Sequence, residues 1–124
     1  MGLTYIRATI ANPAHPRRSV RLRFLVDSGA AYSVVPATIL RRLGIKPSRT
    51  MTFDLVDGTE IKRTLGHVLV RLNGDEAPSP VVFGEPGDSV LLGIVSLETL
   101  GLMLDPLKRE LRPMRLMLAP HFRR

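Results

Sequence analysis

Short apolar runs cut by glycine and proline dominate the chain, and they predict strands far more than helices. From Val20 to Phe24 the pattern alternates strictly, with Val20, Leu22 and Phe24 on one side and Arg21 and Arg23 on the other. That period of two is the signature of a half-buried strand. The strand runs on through Leu25 and Val26 and stops at Asp27-Ser28-Gly29. Leu3 to Ile10 predicts an earlier strand, ended at Asn12-Pro13, with Pro16-Arg17-Arg18 continuing the turn. Tyr32 to Val35 reads as extended. Pro36 to Leu43 predicts a short helix, with Pro at its start, Ile39, Leu40 and Leu43 on one side, and Gly44 suited to its C-terminus. Met51–Val56 and Glu60–Leu65 flank Asp57-Gly58 and predict a hairpin, because this dipeptide tolerates the positive φ of a tight turn. His67–Leu72 is a further strand, closed by Asn73-Gly74. Pro80–Phe83 and Val90–Leu92 are short apolar strands. Val95–Leu100 predicts one or two helical turns ended by Gly101, Leu102–Leu104 is extended, and Met114–Leu118 supplies a last strand. Eight or nine short strands with two small helices predict a mainly β barrel or sandwich.

Composition narrows the class. With 124 residues, 44% hydrophobic and 23% charged, the chain has globular proportions and the size of one domain, 1–124. It holds no cysteine, which excludes disulfide scaffolds, Cys-ligated zinc and thiol nucleophiles, and fits a reducing compartment. No apolar stretch approaches the roughly 20 residues of a membrane span, and the first residues lack a signal-peptide core. A cytoplasmic protein without membrane contact is expected. The formal net charge is +7, and arginine supplies most of it. A positive field attracts polyanions. Yet the cations are scattered along the chain and aromatics are only 5%, so nucleic acid is the weakest of the partner readings.

The chemical candidates are few. A buried-looking strand, Phe24-Leu25-Val26, delivers the carboxylate of Asp27, and Gly29 permits a sharp turn just after it. A buried carboxylate is costly without a partner, so something must face Asp27. His15, His67 and His121 are far apart, and no group of residues has metal-ligand spacing. Ser33 lacks a Gly-x-Ser-x-Gly setting and no glycine-rich phosphate loop is present. No metal and no cofactor is expected. Tyr32 suits the core slightly better than a subsite, and Arg109, Arg112, Arg115, Arg123 and Arg124 read as a solvated face.

Three features in order resemble one family. Leu25-Val26-Asp27-Ser28-Gly29-Ala30, a hairpin in mid-chain, and Leu91-Leu92-Gly93 before a short helix together resemble the retropepsin-like aspartic proteases, in particular their prokaryotic members. The resemblance covers about Tyr5 to Leu118. It implies a closed, barrel-like acid-protease fold with two short helices and a flap hairpin. It implies that Asp27 is the catalytic aspartate. Ser28 would tie two active-site loops together across a dimer, and Gly29 would admit the substrate backbone. Ala30 and Ala31, with Phe53, Leu55, Val56, Asp57, Gly58 and Ile61 of the flap, would bind substrate.

The chemistry of that family needs two carboxylates sharing one proton. Two such groups about 3 Å apart cannot both ionise, a rule for which aspartic proteases are themselves the standard illustration. The chain carries one Asp-Ser/Thr-Gly: Asp88-Ser89 is followed by Val90, and Asp57-Gly58 lacks the hydroxyl. The second carboxylate must come from another copy, which makes the expected unit a two-fold homodimer acting on an extended peptide or protein. Viral members usually place an acid after the Ala of the motif and a base after the apolar-apolar-Gly. Here those positions hold Ala31 and Ile94, and where prokaryotic relatives often place an Asp, Val95 and Ser96 stand. These departures leave a second reading open: the same fold as a weakly active or inactive peptide-binding and dimerisation module.

Overall fold

In the computed structural model, residues 3–115 and 117–119 are described. Nine strands and two helices follow in the order β1 (Thr4–Asn12), β2 (His15–Val26), β3 (Ser33–Pro36), α1 (Ala37–Arg42), β4 (Arg49–Asp54), β5 (Glu60–Leu72), β6 (Asp75–Gly84), β7 (Leu91–Leu92), α2 (Ile94–Thr99), β8 (Leu102–Asp105) and β9 (Glu110–Pro113). Seven strands form one sheet in the order β1-β2-β7-β3-β6-β5-β4, and an additional pairing of β1 with β5 brings that sheet back on itself as a ring. The fold is mainly β, as the patterning predicts. The smaller sheet, β8 with β9, is antiparallel.

The interior follows from the alternation. Ile10 from β1, Phe24 from β2, Val35 from β3, Val68 and Val70 from β5, Val81 from β6 and Leu92 from β7 are fully buried, and Leu40 and Leu97 cover them from the two helices. Each such side chain contributes about 1.5–3 kcal/mol relative to leaving it in water.

Three expectations are corrected. Pro16-Arg17-Arg18 lie in β2, not in a turn. The reversal needs only Pro13 and Ala14, with Asn12 Oδ1 accepting the Ala14 N–H at 2.8 Å. The register jumps from Ala11↔Ser19 to Asn12↔His15, so Pro16, Arg17 and Arg18 have no partner on β1, and a proline there breaks no ladder bond. Glu60–Leu65 and His67–Leu72 are one thirteen-residue strand. Gly66 interrupts nothing. A Cβ on it would lie 2.9 Å from Phe83 Cε1 and 3.0 Å from Ile45 Cγ2, so glycine lets neighbours pack close rather than ending the strand. Among the described residues the last strand is Glu110–Pro113, not Met114–Leu118. Pairing with β8 ends at Leu102↔Pro113, and the next N–H, that of Met114, donates to Gly101 O at 2.7 Å. Residues 114, 115, 117 and 118 carry no strand, and Leu116 lies outside the described residues.

Candidate active site

Topology builds the site. β7 lies between β2 and β3, parallel to β2 and antiparallel to β3. The segment from Asp27 to Tyr32, which joins β2 to β3, must therefore arch over the end of β7. The Asp27 N–H donates to Leu92 O at 3.1 Å, and Ala30 N–H donates to Asp27 O at 3.1 Å, closing a turn. The first backbone N–H groups of α2 hold the other limb: Ile94 N–H donates to Ala30 O at 2.8 Å and Val95 N–H to Ala31 O at 3.0 Å.

The Asp27 side chain stands half-buried at the head of this arch. It is not enclosed within its own subunit, contrary to the reading of a carboxylate delivered inside. Its Oδ1 accepts the Gly29 N–H at 2.9 Å. Ser28 and Gly29 are exposed beside it. A Cβ at position 29 would come within 3.2 Å of that same Oδ1, so glycine keeps the approach to the carboxylate open.

Beneath the arch runs a chain of hydroxyls. Gly93 N–H donates to Ser33 Oγ at 3.0 Å, Ser33 Oγ contacts Ser96 Oγ, Ser96 Oγ contacts Ser79 Oγ at 2.7 Å, and Ser79 Oγ donates to Pro80 O at 3.0 Å. The two ends set the direction. Ser79 spends its proton on Pro80 O, so it accepts from Ser96, which in turn accepts from Ser33. Every hydroxyl then donates once and accepts once, as buried groups must. All three serines are buried. This relay links β3, β6 and α2 directly under the loop that carries Asp27.

A cleft of about 430 Å³ opens beside the arch. Tyr32, Val34, Phe53, Leu55, Ile61 and Leu91 give it an apolar wall, and Gly29, Ala30 and Ala31 form its edge. The rings of Tyr32 and Phe53 meet edge to face, with centroids 6.1 Å apart at 88°. This contact joins the arch to the β4–β5 hairpin. Tyr32 is thus a cleft residue. Arg63 forms ion pairs at the cleft. Arg63 Nε and Nη2 bond Asp88 Oδ2 and Oδ1 at 2.8 and 3.1 Å, and Arg63 Nη1 reaches Glu85 at 2.7 Å. The guanidinium holds the Asp88 carboxyl below its usual range, and Asp88 raises Arg63 in return.

The hairpin turns at Asp57-Gly58, where the dipeptide predicts it. Leu55 N–H donates to Thr59 O at 2.8 Å and Gly58 N–H to Leu55 O at 2.9 Å. In this loop only Gly58 has positive φ, at 87°. That is the three-residue loop with a left-handed glycine as its bulge. Asp57 Oδ1 accepts from Thr59 N–H and Oγ1–H at 2.9 and 2.6 Å, which lowers its pKa. Phe53, Leu55 and Ile61 line the cleft, whereas Val56, Asp57 and Gly58 form the exposed tip beyond it. Sequence reasoning missed Arg63, Asp88 and the serine relay. For the serines a signal existed, since Ser33 shares the inward parity of Val35, and Ser79 that of Val81. His15 and His67 are exposed strand residues, and His121 is outside the described residues.

A ring of short strands with an Asp-Ser-Gly arch over an apolar strand end, faced by a hairpin, is the fold of a retropepsin-like aspartic protease. Residues 18–99 match the family described as "gag-polyprotein putative aspartyl protease", and the chain belongs to that family. Among solved structures it is similar to the EIAV protease in complex with an inhibitor, at 19% identity over 94% of each chain with a TM-score of 0.59. It is also similar to a retropepsin-like aspartic protease from Rickettsia conorii, at 25% identity, covering 84% of this chain and 77% of that one, with a TM-score of 0.53. The protease–reverse transcriptase of prototype foamy virus aligns over 94% of this chain and 12% of its own, at 18% identity and a TM-score of 0.53. No curated protein matches the chain significantly. Among the described residues no helix is long and apolar enough to cross a membrane.

Proposed function

We propose that the protein is a homodimeric aspartic endopeptidase of the cytoplasm, one domain per chain, cutting extended peptides held between the arch and the β4–β5 hairpin. The observation that carries this reading is Asp27 at the head of an arch whose Ser28 and Gly29 are open to a partner, next to an apolar cleft. With one Asp-Ser-Gly per chain, Asp27 of a second copy completes the pair. The two carboxylates share one proton. The ionised one takes a proton from a water whose oxygen attacks the peptide carbonyl carbon, while the protonated one hydrogen-bonds the carbonyl oxygen. The C–N bond then breaks as the nitrogen accepts a proton. Substrate backbone lies along the arch, with Gly29 giving clearance, and Ala30, Ala31, Phe53, Leu55 and Ile61 contact its side chains. Val56, Asp57 and Gly58 close over it from the hairpin tip.

A peptide library assayed from about pH 4 to 7, with and without a statine-type inhibitor, tests the proposal. Asp27→Asn abolishes turnover and leaves the dimer intact. A wild-type dimer silent at every pH overturns the protease and favours the peptide-binding module, for which the uncharged Ile94, Val95 and Ser96 after Gly93 speak.

A further inference from the structure

Cations that look scattered in the sequence are gathered by the fold. On the outer face of β1, β2 and β5, Arg7 is paired directly with Arg23, and Thr9 lies between Arg21 on β2 and Arg71 on β5. Two arginines opposite each other on one face repel, so the pairing itself is unfavourable. Arg71 has a partner, Glu76 at 3.0 Å on β6, at the far end of that row. Among the described residues Arg7, Arg21 and Arg23 have no carboxylate within salt-bridge distance. One row on, the Arg23 guanidinium sits 3.9 Å above the ring of Tyr5, which is 45% exposed. A cavity of about 490 Å³ opens on this face, lined by Arg7, Thr9, Arg21 and Arg71, with Asp75 and Glu76 at its β6 end. None of its lining belongs to the arch or the cleft.

From this juxtaposition we infer that the β1–β2 face binds single-stranded nucleic acid. Guanidinium forks bond phosphates bidentately, which an isolated ammonium does not. Arg7, Arg21 and Arg23, in neighbouring rows, can follow successive phosphates. The Tyr5–Arg23 stack offers a flat surface to a base, the combination of charge and aromatic platform that single strands use. An acidic protein would use the charge but leave the stack idle.

The test is fluorescence anisotropy of labelled oligo(dT) and oligo(U), from about 50 to 200 mM salt, where phosphate contacts are most visible. Arg7→Gln/Arg23→Gln should weaken binding about tenfold at the lower salt and flatten the log K against log salt slope by about 1.4, two contacts at roughly 0.7 each. Arg41→Gln/Arg49→Gln removes the same charge from exposed sites on α1 and β4 and should leave the slope unchanged. Tyr5→Ala should weaken binding at constant slope. All these residues are on the surface, and melting curves confirm folding. Equal losses in both double variants reduce the effect to net charge and overturn the proposal. So does binding to polyglutamate but to neither oligonucleotide, or no binding at the lowest salt. Asp27→Asn should bind like wild type, so this result stands apart from the protease assay.

Discussion

Gly93 lies against the backbone of Tyr32 so closely that a Cβ would sit 2.6 Å from the Tyr32 carbonyl carbon and 2.7 Å from its oxygen. The obstacle is main chain, which cannot swing aside as a side-chain tip can. The contact joins the end of β7 to the last residue of the arch that begins at Asp27. Gly93→Ala should therefore cost about 3 kcal/mol, at the upper end of overpacking penalties, and should displace the arch. Gly74→Ala is the comparison. There a Cβ meets nothing within 4 Å but φ is +85°, so only backbone strain of about 1–2 kcal/mol applies. Urea unfolding midpoints should rank wild type, Gly74→Ala, Gly93→Ala. Equal midpoints for the two variants would remove close approach as the reason for glycine at 93.

The serine relay predicts asymmetric costs. Ser96 is its middle member, so Ser96→Ala strands two buried partners, the Ser33 proton and a Ser79 lone pair. Leaving buried polar groups unpaired costs about 1–3 kcal/mol. Ser96→Ala/Ser33→Ala/Ser79→Ala removes the stranded hydroxyls together and should be less destabilised than the sum of the three single changes. Additivity in chemical denaturation would show the relay to be three independent contacts.

The Tyr32–Phe53 contact couples the hairpin to the arch. Edge-to-face pairs contribute about 0.5–1.5 kcal/mol beyond their buried area. Phe53→Leu keeps a cleft of similar polarity and removes the ring pairing. For the endopeptidase proposed above, steady-state kinetics on a cleaved peptide should show KM raised several-fold with kcat nearly unchanged, since the pair ties the hairpin to the arch and touches no reacting atom. A fall in kcat at constant KM would assign Phe53 a different part.

Most of this architecture was legible because local chemistry and global packing agree. Arg21 and Arg23 against Leu22 and Phe24 announce which side of β2 is buried, and Asp27-Ser28-Gly29 sits where the strand must end. What escaped sequence reading depended on distant partners. Ser33, Ser79 and Ser96 are separated by 46 and 17 positions and acquire meaning only when β3, β6 and α2 converge. Gly66 reads as a break because the phenyl ring that needs its missing Cβ is Phe83, on another strand. Pro16 to Arg18 read as a turn because nothing local shows that β1 leaves them unpaired. Arg7 and Arg23 read as scattered charge for the same reason.

The Arg63–Asp88 pair bridges β5 and the segment before β7, and its response to acid has a definite sign. Arg63 hydrogen bonding lowers the Asp88 pKa in the folded state below its ordinary value of 3.8. A depressed folded pKa means that the stabilisation is fully present above the unfolded value and is lost as pH falls through the folded one. The side chains are 16% and 26% exposed, so the pair is partly desolvated, and truncation at neutral pH should cost about 1–2 kcal/mol. Asp88→Asn should thus melt below wild type at pH 7. The gap should persist down to about pH 5 and close progressively below about pH 4 as the wild-type carboxylate protonates. Because Glu85 also touches Arg63, Glu85→Gln in the Asp88→Asn background identifies any remainder. A melting-temperature gap that stays constant from pH 7 to 2 would show that Asp88 acts there by shape and not by charge.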